Sequence, residues 1–267
     1  MKLTGILSRI LLPCVAGPLL GAAPAEYLRE ARMVKVGGAT ETWQLIWEGK
    51  PRSLCGPEDV EMAVTCPCAG WAYGEMGKLT LVRKRGGKQV ERMALGPLFS
   101  ELPADDSDGL AAMQWRPMNE RDWDSLDQAN KSAFLAEVRR RPSPQFMAMT
   151  DYDHDGQAAE FLIQVSAGPC GHTEYVAVGV SKANPRLHAL GSVNDPKAPL
   201  VLPGAAWTAL AAGGERQVVR WPCGDHGSDE EQVLVLSARD GVIRVRERDY
   251  ACTDAGARGK LKSDKPI

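Results

Sequence analysis

Residues 79–95, LTLVRKRGGKQVERMAL, set two runs of mixed apolar and polar residues on either side of Gly86-Gly87. On a strand every second side chain shares a face, and a Gly-Gly pair tolerates the positive φ angles of a tight hairpin turn. The segment therefore predicts an antiparallel hairpin, and related patterns recur along the chain. TWQLIWE (42–48) puts Trp43, Leu45 and Trp47 on one strand face, with Ile46 interrupting the strict alternation. Strands are also expected over 146–150, 160–166, 174–181, 217–220, 232–238 and 242–249, the last two joined by Asp240-Gly241.

One long helix is expected over 120–141. Trp123, Leu126, Ala129, Ala133 and Val138 approximate one face, Arg139, Arg140 and Arg141 place cations at the C-terminal end, and Pro142 stops it. A shorter helix over 205–212 should end at Gly213-Gly214. The predicted fold class is mainly β, with antiparallel sheets in a sandwich-like arrangement and one main helix. Its parts are a β-rich region over 26–118, the helix over 119–141, a second β-rich region over 142–258 and a polar, frayed tail over 259–267. The chain is 44% hydrophobic and 25% charged, enough apolar material to bury a core, so a globular fold rather than disorder is expected.

Residues 1–25 read as a secretory signal cleaved after Ala25. Lys2 and Arg9 precede the apolar run ILLPCVAGPLL, and Ala23-Pro24-Ala25 supplies small residues for the cleavage site. The run is about half of the ~20 apolar residues a membrane span needs, and prolines interrupt it. A lipid anchor at Cys14 is the alternative, although Pro13 departs from the lipobox pattern. The expected location is periplasmic or secreted, with no membrane span. Losing Lys2 and Arg9 would take the net charge from −2 to −4, which excludes a general nucleic-acid binder.

Six cysteines would remain: Cys55, Cys66, Cys68, Cys170, Cys223 and Cys252. An even number in an oxidising compartment suits up to three disulfides. Cys223 with Cys252 is the pairing expected first, since each ends a predicted strand.

The segment DYDHDGQAAEF (151–161) carries the clearest chemistry. Asp151, Asp153 and Asp155 occupy alternate positions, so their carboxylates can converge on one cation while Gly156 makes the turn. Hard oxygen ligands favour calcium over a transition metal. The expected donors are the side chains of Asp151, Asp153, Asp155 and Glu160 with the Gln157 carbonyl. These residues resemble the Asp-x-Asp-x-Asp-Gly calcium loops of EF-hand, dockerin and FG-GAP repeat proteins over about a dozen positions. The EF-hand pattern requires a bidentate glutamate at position 12, where this chain has Leu162, and it requires flanking helices. Strand formers after the loop instead suit a strand-to-strand connection of the FG-GAP kind, in which the ion pins a loop. The whole chain also resembles uncharacterised secreted bacterial proteins, a likeness that implies no activity.

His172 follows Cys170 by two residues and His226 follows Cys223 by three, so a zinc site or a Cys-His nucleophile is the alternative to disulfide bonding. No catalytic residue is assigned. The tryptophans read as core, and His188 as a packed strand residue. The expected function is an exported, disulfide-stabilised binding or envelope-associated protein with a structural calcium ion and a protein or glycan partner. The alternative is a secreted hydrolase built from acids and the His172/His226 region.

Overall fold

The computed structural model describes residues 25–56, 68–71, 73–99, 102, 107–114, 116, 131–167 and 172–267. The signal-like segment, Cys66, Cys170, Trp115, Trp123 and the first half of the helix expected over 120–141, residues 120–130, lie outside these residues. Four antiparallel sheets dominate. The first orders β1 (Glu26–Val36), β2 (Ala39–Glu48), β5 (Leu79–Arg85) and β6 (Lys88–Ala94). A small second sheet joins β3 (Arg52–Leu54), β4 (Gly74–Gly77) and β7 (Ala111–Gln114). The third contains β8 (Glu160–Ala167), β9 (Thr173–Gly179), β10 (His188–Ala189) and β11 (Leu202–Pro203). The fourth runs β12 (Arg216–Trp221), β13 (Glu230–Arg239), β14 (Val242–Cys252) and β15 (Arg258–Pro266). Helix α1 covers Lys131–Arg140, ending just before Pro142 as expected, and α2 covers Gly204–Ala212 and gives way to Gly213.

Sheet three holds the centre. On β9, Val176 and Val178 face a core shared with Trp43, Leu45 and Trp47 of β2 and Phe161 and Ile163 of β8. The alternate residues Tyr175 and Ala177 face a second core with Trp207 of α2, Leu234 and Leu236 of β13 and Val245 of β14. A strand covered on both faces cannot alternate apolar with polar, which is why YVAV is continuously nonpolar. The first core draws on both β-rich regions of the chain. It therefore ties sheet one to sheet three, as in a sandwich.

Two disulfides link segments among the described residues. Cys223 is bonded to Cys252, as expected, with Cα atoms 5.7 Å apart, and Cys55 is bonded to Cys68 at the same Cα separation. The Cys223–Cys252 bond ties the β12–β13 connection to the end of β14.

Two expectations fail. Residues 146–150 form no strand beyond the single bridge between Thr150 and Glu160. The Glu30 carboxylate accepts the amides of Phe146 (2.7 Å) and Met147 (3.3 Å), so a side chain takes the donors a ladder would use. The tail is not frayed: β15 pairs with β14 from Arg246↔Pro266 to Cys252↔Arg258. Asp264 accepts Arg246 Nε at 2.7 Å and Arg248 Nε at 3.1 Å, and Ile267 donates its amide to Val245. A polar edge strand needs no apolar face when backbone ladder and cross-strand ion pairs hold it.

Candidate metal centre

The loop 151–159 enters from Thr150 and leaves into β8, and its alternation sorts side chains two ways. Tyr152 packs edge-on against Trp207 of α2, with ring centroids 5.4 Å apart. His154 donates from Nε2 to the carbonyl of Leu210 at 2.7 Å, and its imidazole lies against Gly213. Tyr152 and His154 thus anchor the loop to α2. His154 adopts a left-handed backbone (φ 54°), a strained conformation for a residue with a side chain, held by that anchorage.

Asp151 and Asp153 instead meet Glu160, the first residue of β8. One carboxylate oxygen from each of Asp151, Asp153 and Glu160 lies within 4.8 Å of the others. Asp153 is 2% exposed and Glu160 fully buried, while Asp151 is partly open to solvent. Backbone amides close the loop: Asp155 N–H donates to Asp151 Oδ1 and Asp153 Oδ1, and Gly156 N–H donates to Asp151 Oδ2. Gly156 supplies the positive φ of 85° needed at the turn.

Burial, opposed by the Asp155 amide and reinforced by the charges of Asp155 and Asp151, pushes Asp153 up to about 6. Burial and the three aspartate charges push Glu160 up to about 9 against the opposing hydrogen bond from Tyr152 N–H. Glu160 Oε2 accepts that amide at 2.9 Å, whereas Oε1 is buried without a hydrogen-bond partner. Neither protonation state satisfies Oε1: ionised, it lacks a donor, and protonated, its hydrogen lacks an acceptor.

These residues fit a hard cation. Calcium takes oxygen ligands at 2.3–2.6 Å, so two oxygens opposed across one ion stand about 5 Å apart, which accommodates the carboxylate spacing here. Asp155 lies outside the three-acid cluster. Its carboxylate accepts the amide of Gln157 at 2.7 Å and that of Lys182, and the Lys182 ammonium donates to its carbonyl. The Gln157 side-chain oxygen accepts Gly37 N–H at 2.8 Å from the β1–β2 turn, and its main-chain carbonyl accepts Ala159 N–H. Asp153 also accepts, through its main-chain carbonyl, the amide of Gly241 in the β13–β14 turn. The loop consequently touches sheet one, α2, sheet four and the segment after β9.

Sequence reasoning missed Lys182 and Gly179. Gly179 sits opposite Glu160 in the β8–β9 register, and a Cβ there would meet the Ala159 carbonyl and lie 2.7 Å from the Glu160 Cα. A lone glycine after YVAV was the available signal, since glycine inside a strand marks close backbone approach. Gly179→Ala is expected to lower stability by about 1–3 kcal/mol, the usual cost of overpacking, and to displace the Glu160 carboxylate. Thermal melts with and without calcium check this: an unchanged melting temperature and calcium response would show that the contact is not constraining.

The histidine region is separate. His172 Nε2 lies 3.4 Å from Asp225 Oδ2, and its ring packs on Trp221 with centroids 4.2 Å apart. The side chain of His226 lies outside the described residues, as does Cys170. Comparison of the chain with protein-family models, with curated proteins and with solved structures finds no match, which leaves the acidic loop's own chemistry as the basis for a functional reading.

Proposed function

We propose that the chain is an exported binding or envelope-associated protein in which Asp151, Asp153 and Glu160 hold one structural calcium ion. The observation that carries the ion site is the orphaned, buried Oε1 of Glu160 inside a three-carboxylate cluster. Bound calcium would neutralise charge that the loop otherwise confines among buried carboxylates. Asp155 and Gln157 support the site by fixing its backbone through their hydrogen bonds to Lys182 and Gly37.

The contacts of the loop support a role in holding parts together rather than catalysis. Disulfides, and the absence among the described residues of any helix long and apolar enough to cross a membrane, are compatible with the periplasmic or secreted location. The recognition surface for a protein or glycan partner would lie on loops of the β scaffold.

Isothermal titration of calcium into chelator-stripped full-length protein is expected to show one site. Asp153→Asn should weaken binding by at least about tenfold, the loss expected of one charge-assisted contact. Absence of binding heat together with a calcium-independent melt would remove the proposal.

A further inference from the structure

Sheet four has a face turned away from the second core. On β14, Ile243 and Val245 enter that core, so the alternating residues Arg244, Arg246 and Arg248 line the opposite face. Arg244 and Arg246 are exposed and Arg248 is half-buried. Three guanidinium groups thus stand in a row, with strand geometry setting steps of roughly 7 Å and a span of roughly 14 Å. Arg246 and Arg248 sit opposite Val235 and Val233 of β13, both buried, so a packed strand rather than a loop carries the row.

The charges of this row do not balance. Asp264 of β15, opposite Arg248 in the register, accepts both Arg246 Nε and Arg248 Nε. Arg244, opposite Ser237, makes no hydrogen bond or ion pair among the described residues. Glu247 and Asp249 belong to the other face, where Arg220 and Lys265 engage Glu247, and Ser263 and Gln232 engage Asp249. Beside the row, Arg239 pairs with Asp240 and Arg258 with Glu231. Three cations therefore share one carboxylate.

We propose that this face docks an extended acidic segment of a partner protein, with carboxylates at every second residue. The proposal rests on the reading of the chain as a binding protein and adds a sheet face to its loops. An extended polypeptide has the same rise as β14, so alternate carboxylates meet the guanidinium row in step, and each guanidinium can hold a carboxylate through two N–H donors. Asp264 within the row works against a denser polyanion: duplex DNA carries one charge per ~1.7 Å and would press phosphates onto that carboxylate.

The test is an NMR titration of the isotope-labelled, calcium-supplemented full-length chain at low salt. The probe is a blocked heptapeptide with glutamate at its second, fourth and sixth positions and threonine elsewhere. Backbone amides over 244–248 are expected to shift saturably, and the glutamine counterpart of the peptide should leave them in place. Arg244→Glu should weaken binding about tenfold, since it removes one exposed ion pair and adds a repulsion of similar size, each about threefold. Lys88→Glu, on an exposed residue of β6 in sheet one, changes net charge equally and should leave the affinity unchanged. Melting temperatures confirm that both variants fold, and the glutamine peptide remains decisive if Arg244→Glu does not. Calcium added to chelator-stripped protein is read at the 151–160 amides instead, so failure of the ion site and failure of this face are separate results. Equal weakening by Arg244→Glu and Lys88→Glu, equal shifts with the glutamine peptide, no saturable shift at millimolar peptide, or tighter binding of an oligouronate or an oligonucleotide at the same amides would each overturn the proposal.

Discussion

Chelating calcium from the full-length chain at pH 8 should lower its melting temperature by roughly 5–10 °C, the consequence of losing about 2.7 kcal/mol from a site filled at ~100 times its dissociation constant. The pH dependence gives this expectation a sign that a general destabilisation would not. In the metal-free fold Glu160 is pushed up to about 9 from the ordinary 4.5, so between those values the folded chain carries a proton that the unfolded chain has lost. Its contribution is fully present below pH 4.5 and disappears as pH rises towards 9, at about 1.4 kcal/mol per pH unit inside that window. Asp153, pushed up to about 6 from 3.8, acts in the same direction at lower pH. Metal-free protein should therefore lose stability from pH 5 to pH 8. Calcium-loaded protein should not, because the ion keeps the carboxylates ionised.

Glu160→Gln separates the explanations. A neutral amide copies the protonated carboxyl, so the variant should be more stable than metal-free wild type at pH 8 and indifferent to calcium. Differential scanning calorimetry at pH 5, 6, 7 and 8, with calcium or chelator, reads all of this. A variant that is destabilised in chelator at pH 8 yet still responds to calcium would sink the assignment of Glu160.

The loop was legible because its chemistry is local: three aspartates at alternate positions and a glycine declare convergence without tertiary information. Its environment was not. Nothing in DYDHDG says that Tyr152 and His154 reach α2, or that Glu160 is fully enclosed, because those facts depend on the packing of sheet three between two cores. Alternation with a glycine turn located β2, β5 and β6 and the β13–β14 hairpin. The same rule misassigned 146–150, where Glu30 satisfies two backbone donors from a distant strand, and passed over β15, whose stability lies in ladder bonds and Asp264 rather than hydropathy. Interactions between residues far apart in sequence leave no periodic trace.

Glu41→Gln should be among the most destabilising substitutions of a single charge, costing about 3–5 kcal/mol and lowering the melting temperature by on the order of 10 °C. Extending the β2 face backward from Trp43 by two positions brings Glu41 inward, where it is fully buried. It accepts Arg83 Nε at 2.8 Å and Nη2 at 3.0 Å, Arg85 Nη2 at 2.6 Å, and the Trp43 indole N–H at 3.0 Å. Arg83 is itself buried, continues to Glu91 Oε2 and the Pro185 carbonyl, and its guanidinium lies 5.6 Å from the Trp43 ring centroid. Removing the carboxylate charge leaves that guanidinium underpaired in the core. Burial alone would raise the Glu41 pKa, but the hydrogen bonds from Arg83, Arg85 and Trp43 outweigh it and hold the group at about 2. Here the linkage runs opposite to Glu160. The contribution, about 3 kcal/mol, is present above pH 4.5 and lost as pH falls from 4.5 to 2. Wild-type protein should lose stability steeply across that interval, and Glu41→Gln should lack this component. The double variant Glu41→Met, Arg83→Met should recover much of the lost stability, since well-packed apolar residues often replace a buried ion pair at little cost. Urea unfolding of the two single variants and the double variant at pH 7 and pH 3 completes the cycle. Additive losses, with no coupling between Glu41 and Arg83, would mean that the pair does not hold this end of the first core.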